Sequence, residues 1–323
     1  MPFQTFLSQP FFGRAGSAPI VACADSPVWD HRYNRLVYVD CSPPTLWIYD
    51  ATANTSTPHP LPPPHKSLGF AAPTTAEEAF VCGSDVAVFL FNTRTALTVS
   101  LHTVGELPDR QHSASTRFTV GKVDGLGRLF TGVASIAGAG GLYSFQSRAQ
   151  GLKTKPIVVR HLRGTVDGPG GFSSGFDWSP DMTSMYLVDA QQKLLHVLRY
   201  DYQTGSVAYQ QALHQVQSSE EHPRGMCVDE DGHCWVAMWG GSRVVRIDPQ
   251  HGKIVAEVRV PARLVTNCCF GGPQLSQLIV TTAGDVTEKS SGEVFVADVG
   301  VRGLPINAFN ISGVSATSMK SLL

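Results

Sequence analysis

The chain repeats itself, and that repetition restricts its fold more than any other feature. Six times a turn leads into a short strand of small and apolar residues, and a second strand follows it. The openings are DSPVWD (Asp25–Asp30), LGFAAP (Leu68–Pro73), VGKVD (Val120–Asp124), SGFDW (Ser174–Trp178), RGMCVD (Arg224–Asp229) and TNCCFGG (Thr266–Gly272). Their first residues lie about 42 to 54 positions apart, the spacing of propeller blades. Second strands follow as RLVYVD, EAFVCG, GRLFTG, SMYLVD, HCWVAM and QLIVTT, and third strands as TLWIYD, VAVFLFN, GGLYSF, LLHVLRYD, SRVVRID and GEVFVAD. Fourth strands are weaker, as in IVVRHL, VAYQQAL and IVAEVRV. DGLGR, DEDGH and SPDMTS supply the Asp, Gly and Pro of tight hairpin turns. Six four-stranded units in series predict an all-β, six-bladed β-propeller with four antiparallel strands per blade. No strong fourth strand follows GEVFVAD, so the N-terminal FQTFL (Phe3–Leu7) is expected to close the ring. The propeller is expected to span 1–310 as one domain, with a C-terminal tail over 311–323. Two separate β-domains would need a linker that the even spacing does not show.

Composition narrows the function classes. Charged residues make up only 16% of the chain and the formal net charge is -1, so no basic field exists to hold nucleic acid or an anionic membrane. No apolar run has the length of a membrane span, and MPFQTFLSQPFFGRAG lacks the continuous apolar stretch of a signal peptide. A cytoplasmic location is expected. The seven cysteines, Cys23, Cys41, Cys82, Cys227, Cys234, Cys268 and Cys269, contain no CxxC. They read as reduced core residues rather than a disulfide frame or a zinc site. Trp29, Trp47, Trp178 and Trp235 are expected to pack between blades, whereas Trp239, in MWGGSR, is a candidate pocket wall. No G-x-S-x-G, HExxH or Walker pattern is present. The glycines of GTVDGPGGFSSG and IAGAGGLYSF lack the Lys-Ser/Thr of a phosphate cradle.

In a propeller the first strands run along the central channel, and their starting residues meet at one mouth. The converging set here is Asp25, Leu68, Val120, Ser174, Arg224 and Thr266 with Asn267; Arg117 and Thr119 are expected on the same rim. His112 lies upstream, and Glu220, Glu221 and His222 precede Arg224 on a loop.

The stretches SPVWDHRYNRLVYVD, RFTVGKVDGLGRLFTG, SSGFDWSPDMTSMYLVD, RGMCVDEDGHCWVAMWGGSRVVRIDP, TNCCFGGPQLSQLIVTTA and GEVFVADVGVRGLP together resemble the senescence marker protein (regucalcin), gluconolactonase and luciferin-regenerating enzyme family. The resemblance implies a six-bladed propeller. It also implies hydrolysis of sugar lactones or related esters with a divalent cation, often calcium, zinc or magnesium, at the channel mouth. The likeness fails at the functional positions. The family's Glu before GPVWD corresponds to Asp25, followed by Ser26. The Asn of NGLAWSPD corresponds to Ser174, and the Asp of PDGM, metal ligand and general base, corresponds to Arg224. In the substrate-contacting RxNDGKVD the Arg is kept as Arg117, the Asn becomes Thr119 and the Asp becomes Val120.

A hard dication needs several oxygen ligands, with carboxylates compensating most of its charge. The family pattern offers two carboxylates and an amide oxygen; this chain offers Asp25, the hydroxyl of Ser174 and the fixed cation of Arg224. Two positive centres about 4 Å apart repel by roughly 4 kcal/mol even at an effective dielectric constant of 20. Arginine can neither lose its proton nor serve as oxygen ligand or base. The expectation is therefore a non-catalytic binding protein without a metal cofactor. Arg224 would stand where the cation would be and pair with Asp25, while Arg117, Thr119, Ser174, Asn267 and Trp239 would complete a pocket for a small anion. Two alternatives stay open. One is a calcium- or zinc-dependent lactonase or esterase with a rearranged site using Asp25, Asn267 and a loop carboxylate; the other is a protein-interaction scaffold whose partner is unknown.

Overall fold

A computed structural model describes residues 3–12, 21–107, 116–134, 141–147, 174–285, 287–288 and 290–311, and the backbone of 157–161. His112, the glycines of 137–140 and 164–173, and the tail from 312 onward lie outside the described residues. The six openings identified above are the inner strands of six sheets. Blade 1 is Ala24–Asp30, Arg35–Asp40, Thr45–Asp50 and Thr55–Pro60; blade 2 is Leu68–Pro73, Ala79–Ser84, Ala87–Asn92 and Thr98–Thr103. Blade 3 comprises Arg117–Val123, Leu129–Ala134, Gly141–Ser147 and Ile157–His161; blade 4, Gly175–Trp178, Ser184–Asp189, Leu194–Tyr200 and Val207–Gln215. Blade 5 holds His222–Val228, Cys234–Trp239, Arg243–Asp248 and Lys253–Arg259, and blade 6 holds Val265–Gly271, Gln277–Thr282 and Val294–Asp298. Among the described residues the one helical element is a 3-10 turn at Val104–Glu106. No helix of the described residues is long and apolar enough to cross a membrane.

Second strands such as RLVYVD and AFVCGS are buried at every position, because each sheet is covered on both faces and strict polar alternation has no place there. The apolar side chains sort into six clusters, one at each blade–blade interface. Within Val265–Gly271 the pleat sends Cys268 and Phe270 against blade 5 and Cys269 against blade 1. Trp29, Trp178 and Trp235 fill three of these interfaces, as expected from sequence. Trp47 is half-buried; it stacks on Tyr38 of its own blade and packs at the edge of the blade 6–blade 1 interface. All seven cysteines are free thiols.

The N-terminal segment closes the ring, but not through the residues expected. Gln4–Leu7 pairs in parallel with Lys253–Arg259 and becomes a fifth strand on blade 5. Gln9–Pro10 pairs antiparallel with Phe295 and Val296 and supplies the fourth strand of blade 6. Beyond it, the Phe11 amide donates to the Val294 carbonyl at 2.8 Å, and the Phe11 and Phe12 rings stand edge-on to Tyr49 of blade 1. The short closing strand carries Pro10, and the outer strand of blade 1 carries Pro58 and Pro60. Proline on an exposed edge removes the donors that a second chain would pair with.

After blade 6 the chain crosses the lower face, the end where the inner strands finish. The Glu230 amide donates to Arg302 and the Gly303 amide to Leu275 on one side of the channel. On the other, the Phe309 amide donates to Pro73, and the Phe309 ring is fully buried between blades 2 and 3. If closure runs through Gln9–Phe12, Phe11→Ala should cost about 2 kcal/mol for a partly buried ring and lower the thermal midpoint by several degrees. Leu7→Ala, at a position 79% exposed, should change stability by no more than about 0.5 kcal/mol. Thermal unfolding of the two variants decides between the segments.

Candidate functional site at the channel mouth

The inner strands begin irregularly, and this places the site. Five of the six show a register break at their start: Asp25/Val28, Leu68/Phe70, Phe118/Val120, Pro223/Met226 and Val265/Asn267. A bulge turns side chains out of the ladder and towards the axis. In blade 1 it sets Ser26 at a φ of 48°, a left-handed conformation that costs a non-glycine residue energy. The strain persists because Ser26 is held twice: its amide donates to Asp25 Oδ1 at 2.5 Å, and its hydroxyl to the Gly69 carbonyl of blade 2 at 3.2 Å.

Asp25 sits at the mouth with Asn267 of blade 6, whose Nδ2 donates to Asp25 Oδ1 at 2.8 Å. Asn267 Oδ1 in turn accepts the Cys268 amide at 2.8 Å. A side chain on Gly225 would overlap the Asn267 amide, so the residue after Arg224 must be glycine for Asn267 to reach Asp25. Burial pushes the Asp25 carboxyl above its usual range, against the opposing pull of Asn267, the Ser26 amide and the nearby Arg224 charge.

Arg224 is close enough to act on Asp25 electrostatically, yet among the described residues no ion pair joins them. The expected Asp25–Arg224 pair is therefore replaced by two other contacts. Asp25 takes its hydrogen bonds from Asn267 and Ser26, and the Arg224 guanidinium lies over the Trp239 ring, 4.7 Å from its centroid. The reason is register. Trp239 is paired with His222 on the adjacent strand of the same sheet, so its indole faces the side chain leaving the Pro223/Met226 break. This cation–π contact leaves guanidinium N–H donors for other partners.

The other predicted residues are arranged around this core. Ser174 is buried immediately before the inner strand of blade 4, and Gly175 packs against the main chain at Arg224 and Met226. Thr119 is half-buried beside Gly69, while Arg117, first in its strand, is exposed and paired through its backbone with Ala134. The loop carboxylates lie apart from this core. Glu221 is bound by Arg243 at 2.8 Å, and Glu220 is exposed. Among the described residues the one three-membered group with metal-ligand atoms together is Asp229, Asp231 and His233. It lies at the lower end of blade 5, and Arg246 already spans the two carboxylates at 2.7 and 2.9 Å. Sequence reasoning missed the Asn267–Asp25 bond and the Lys122–Asp177 ion pair, 2.6 Å long, further down the channel. The glycine in second place in LGF, SGF and RGM was the one visible sign of such close blade contact.

Residues 23–284 match the family described as the SMP-30/Gluconolactonase/LRE-like region, and the chain belongs to that family. It is 31% identical over 290 residues to regucalcin from Gallus gallus, covering 87% of this chain and 92% of that protein. To regucalcin from Xenopus laevis it is 32% identical over 298 residues, covering 88% and 94%. Among solved structures, a calcium-binding protein, regucalcin, from Agrobacterium tumefaciens superposes with a TM-score of 0.78 at 21% identity over 95% of this chain and 99% of that one. A luciferin-regenerating enzyme superposes at 0.77 and 23% identity over 95% and 100%. These two likenesses establish the fold.

The carboxyl of Asp25 makes a testable demand on stability. Between the ordinary carboxylate range near 4 and its raised value in the folded state, the folded protein holds the proton more tightly than the unfolded chain does. Stability contributed there is present in full below the unfolded value and is lost as pH rises through the folded one. Asp25→Asn keeps an oxygen for Asn267 and Ser26 and removes the buried charge. Its thermal midpoint should exceed that of the parent at pH 7, and the gap should close on acidification. A lower midpoint at pH 7 would show that the ionised carboxylate is itself stabilising.

Proposed function

We propose that this propeller is a non-catalytic member of its family that binds a small anion at the channel mouth, with Arg224 as the primary anchor. One observation carries the reading: at the position where the family pattern has an acidic ligand and general base, a guanidinium lies over the Trp239 ring, with no carboxylate paired to it among the described residues. An arginine held against an aromatic ring and without a paired carboxylate suits bidentate recognition of a carboxylate or phosphate. Asn267 and Ser174 add neutral polar groups, and Arg117 and Thr119 extend the rim. A hard metal finds a single carboxylate here, already engaged by Asn267 and Ser26, and the capture of Glu221 by Arg243 removes the loop carboxylate that a rearranged metal site would need. The seven free thiols support a reducing, cytoplasmic setting.

D-gluconate and D-glucose 6-phosphate should each raise the thermal midpoint in a saturable way. Arg224→Ala should weaken that effect about 10- to 100-fold, the value of one charge-assisted contact, and Arg117→Ala should weaken it less. Metal analysis of the purified protein should find no stoichiometric calcium, zinc or manganese. A tightly bound equivalent of metal, or anion stabilisation unchanged in both arginine variants, would overturn this reading in favour of a metal-dependent lactonase or of a scaffold.

A further inference from the structure

A second cavity lies in the same channel, below the mouth. Its walls come from the same inner strands about three residues further along, roughly 10 Å deeper at 3.3 Å per residue. Its volume is about 310 Å³, at the lower end of the range for small-molecule sites. Leu304, Pro305, Ile306 and Asn307, the part of the crossing segment between its two anchors, form the outer wall. Asn307 is tied to blade 3 through its Nδ2, 3.3 Å from the Val123 carbonyl. Most of the lining is apolar and includes Val28, Ala72, Val123, Val228, Leu304 and Ile306.

The charged part of the cavity is one ion pair. Lys122 Nζ donates to Asp177 Oδ2 at 2.6 Å and to the Met226 carbonyl at 2.8 Å, linking blades 3, 4 and 5. Both side chains line the cavity, and each keeps about a quarter of its surface open, 25% and 22%. Burial opposes the Lys122 charge, but Asp177 beside it holds the ammonium above its usual range. The thiols of Cys227 and Cys269, also in the lining, are pushed up by burial and stay neutral. The charges in the cavity therefore sum to zero. An ionised guest would enter an apolar chamber without a counter-charge, at a large desolvation cost. A neutral guest can instead use the third ammonium N–H of Lys122 and the free lone pairs of Asp177.

The geometry points to a second binding site at the lower end of the channel for a neutral, compact aromatic molecule bearing one hydroxyl. Its ring would lie against the apolar lining beneath Leu304, Pro305 and Ile306, with its hydroxyl at the Lys122–Asp177 pair. This site is separate from the anion site at Arg224 and does not depend on it. The probe is 2-naphthol, with 2-naphthoate as the charged counterpart, titrated calorimetrically into the full chain at pH 7. We expect one site per chain for 2-naphthol, with a Kd on the order of 0.1 mM for a ligand of this size, and binding of 2-naphthoate at least tenfold weaker. Ile306→Trp, which fills the cavity from the crossing segment, should abolish 2-naphthol binding. If that variant is unfolded, Leu304→Trp takes its place. The paired change Lys122→Met with Asp177→Leu removes the polar contact without leaving a lone charge and should weaken 2-naphthol tenfold or more. Arg224→Ala should leave 2-naphthol binding unchanged. The inference is overturned if 2-naphthol shows no saturable binding, if it binds the folded Trp variant as well as the parent, or if 2-naphthoate binds equally well.

Discussion

Six sheets meeting edge-on around one axis leave their inner strands almost no room, and the rest of the molecule is arranged around that shortage. A side chain on Gly69 would strike the Phe118 carbonyl of blade 3, and one on Gly175 would meet the main chain of blade 5. Backbone therefore packs on backbone where blades converge, and the apolar bulk is displaced outwards into six wedge-shaped interfaces. Each blade is stabilised by its two neighbours rather than by a shared centre. The sixth interface, which includes Phe11 and Phe12 as flanking residues, forms between the ends of the chain. Its closure rests on a two-residue strand, and the aromatic contacts with Tyr49 reinforce it.

The ring was legible because its period survives in the turns. Asp and Gly recur where hairpins need them, and strands buried on both faces read as unbroken apolar runs. The closing strand was not legible. FQTFL alternates like an edge strand and does form one, but its partner is the outer strand of blade 5. Gln9–Pro10 is short and polar, and proline argues against pairing unless the edge is known to be solvent-facing. The crossing segment 302–309 gave no periodic signal either, since its contacts are single backbone bonds and one buried ring, Phe309.

At the mouth, residue positions were legible but partners were not. The repeat places Asp25, Ser174, Arg224 and Asn267 at equivalent starts. For Asp25, Arg224 and Asn267 a register break at the start of the strand then decides which way the side chain points, since a shift of one residue reverses its face. Opposite charges alone suggested Asp25 with Arg224. Asn267 instead reaches the carboxylate from the neighbouring blade, helped by Gly225, while Arg224 emerges against Trp239 of its own sheet.

The channel thus holds two acid–base couples with opposite outcomes. Lys122 and Asp177 are paired at 2.6 Å, so their fields cancel over a short distance and the chamber around them is electrically quiet. Arg224 and Asp25 act on one another without pairing, and each is held by neutral groups. A carboxyl that burial biases towards its protonated form compensates the guanidinium less than a solvated carboxylate would. A single uncompensated charge about 4 Å from a guest amounts to roughly 4 kcal/mol at an effective dielectric constant of 20, enough to set the sign of the ligand proposed for the mouth. Roughly 10 Å along the same strands the deciding term for the proposed second site becomes desolvation, which would reject both signs alike. On the two proposed readings, pairing at one level of the channel and its absence at the other would give one propeller two different ligand preferences along its axis.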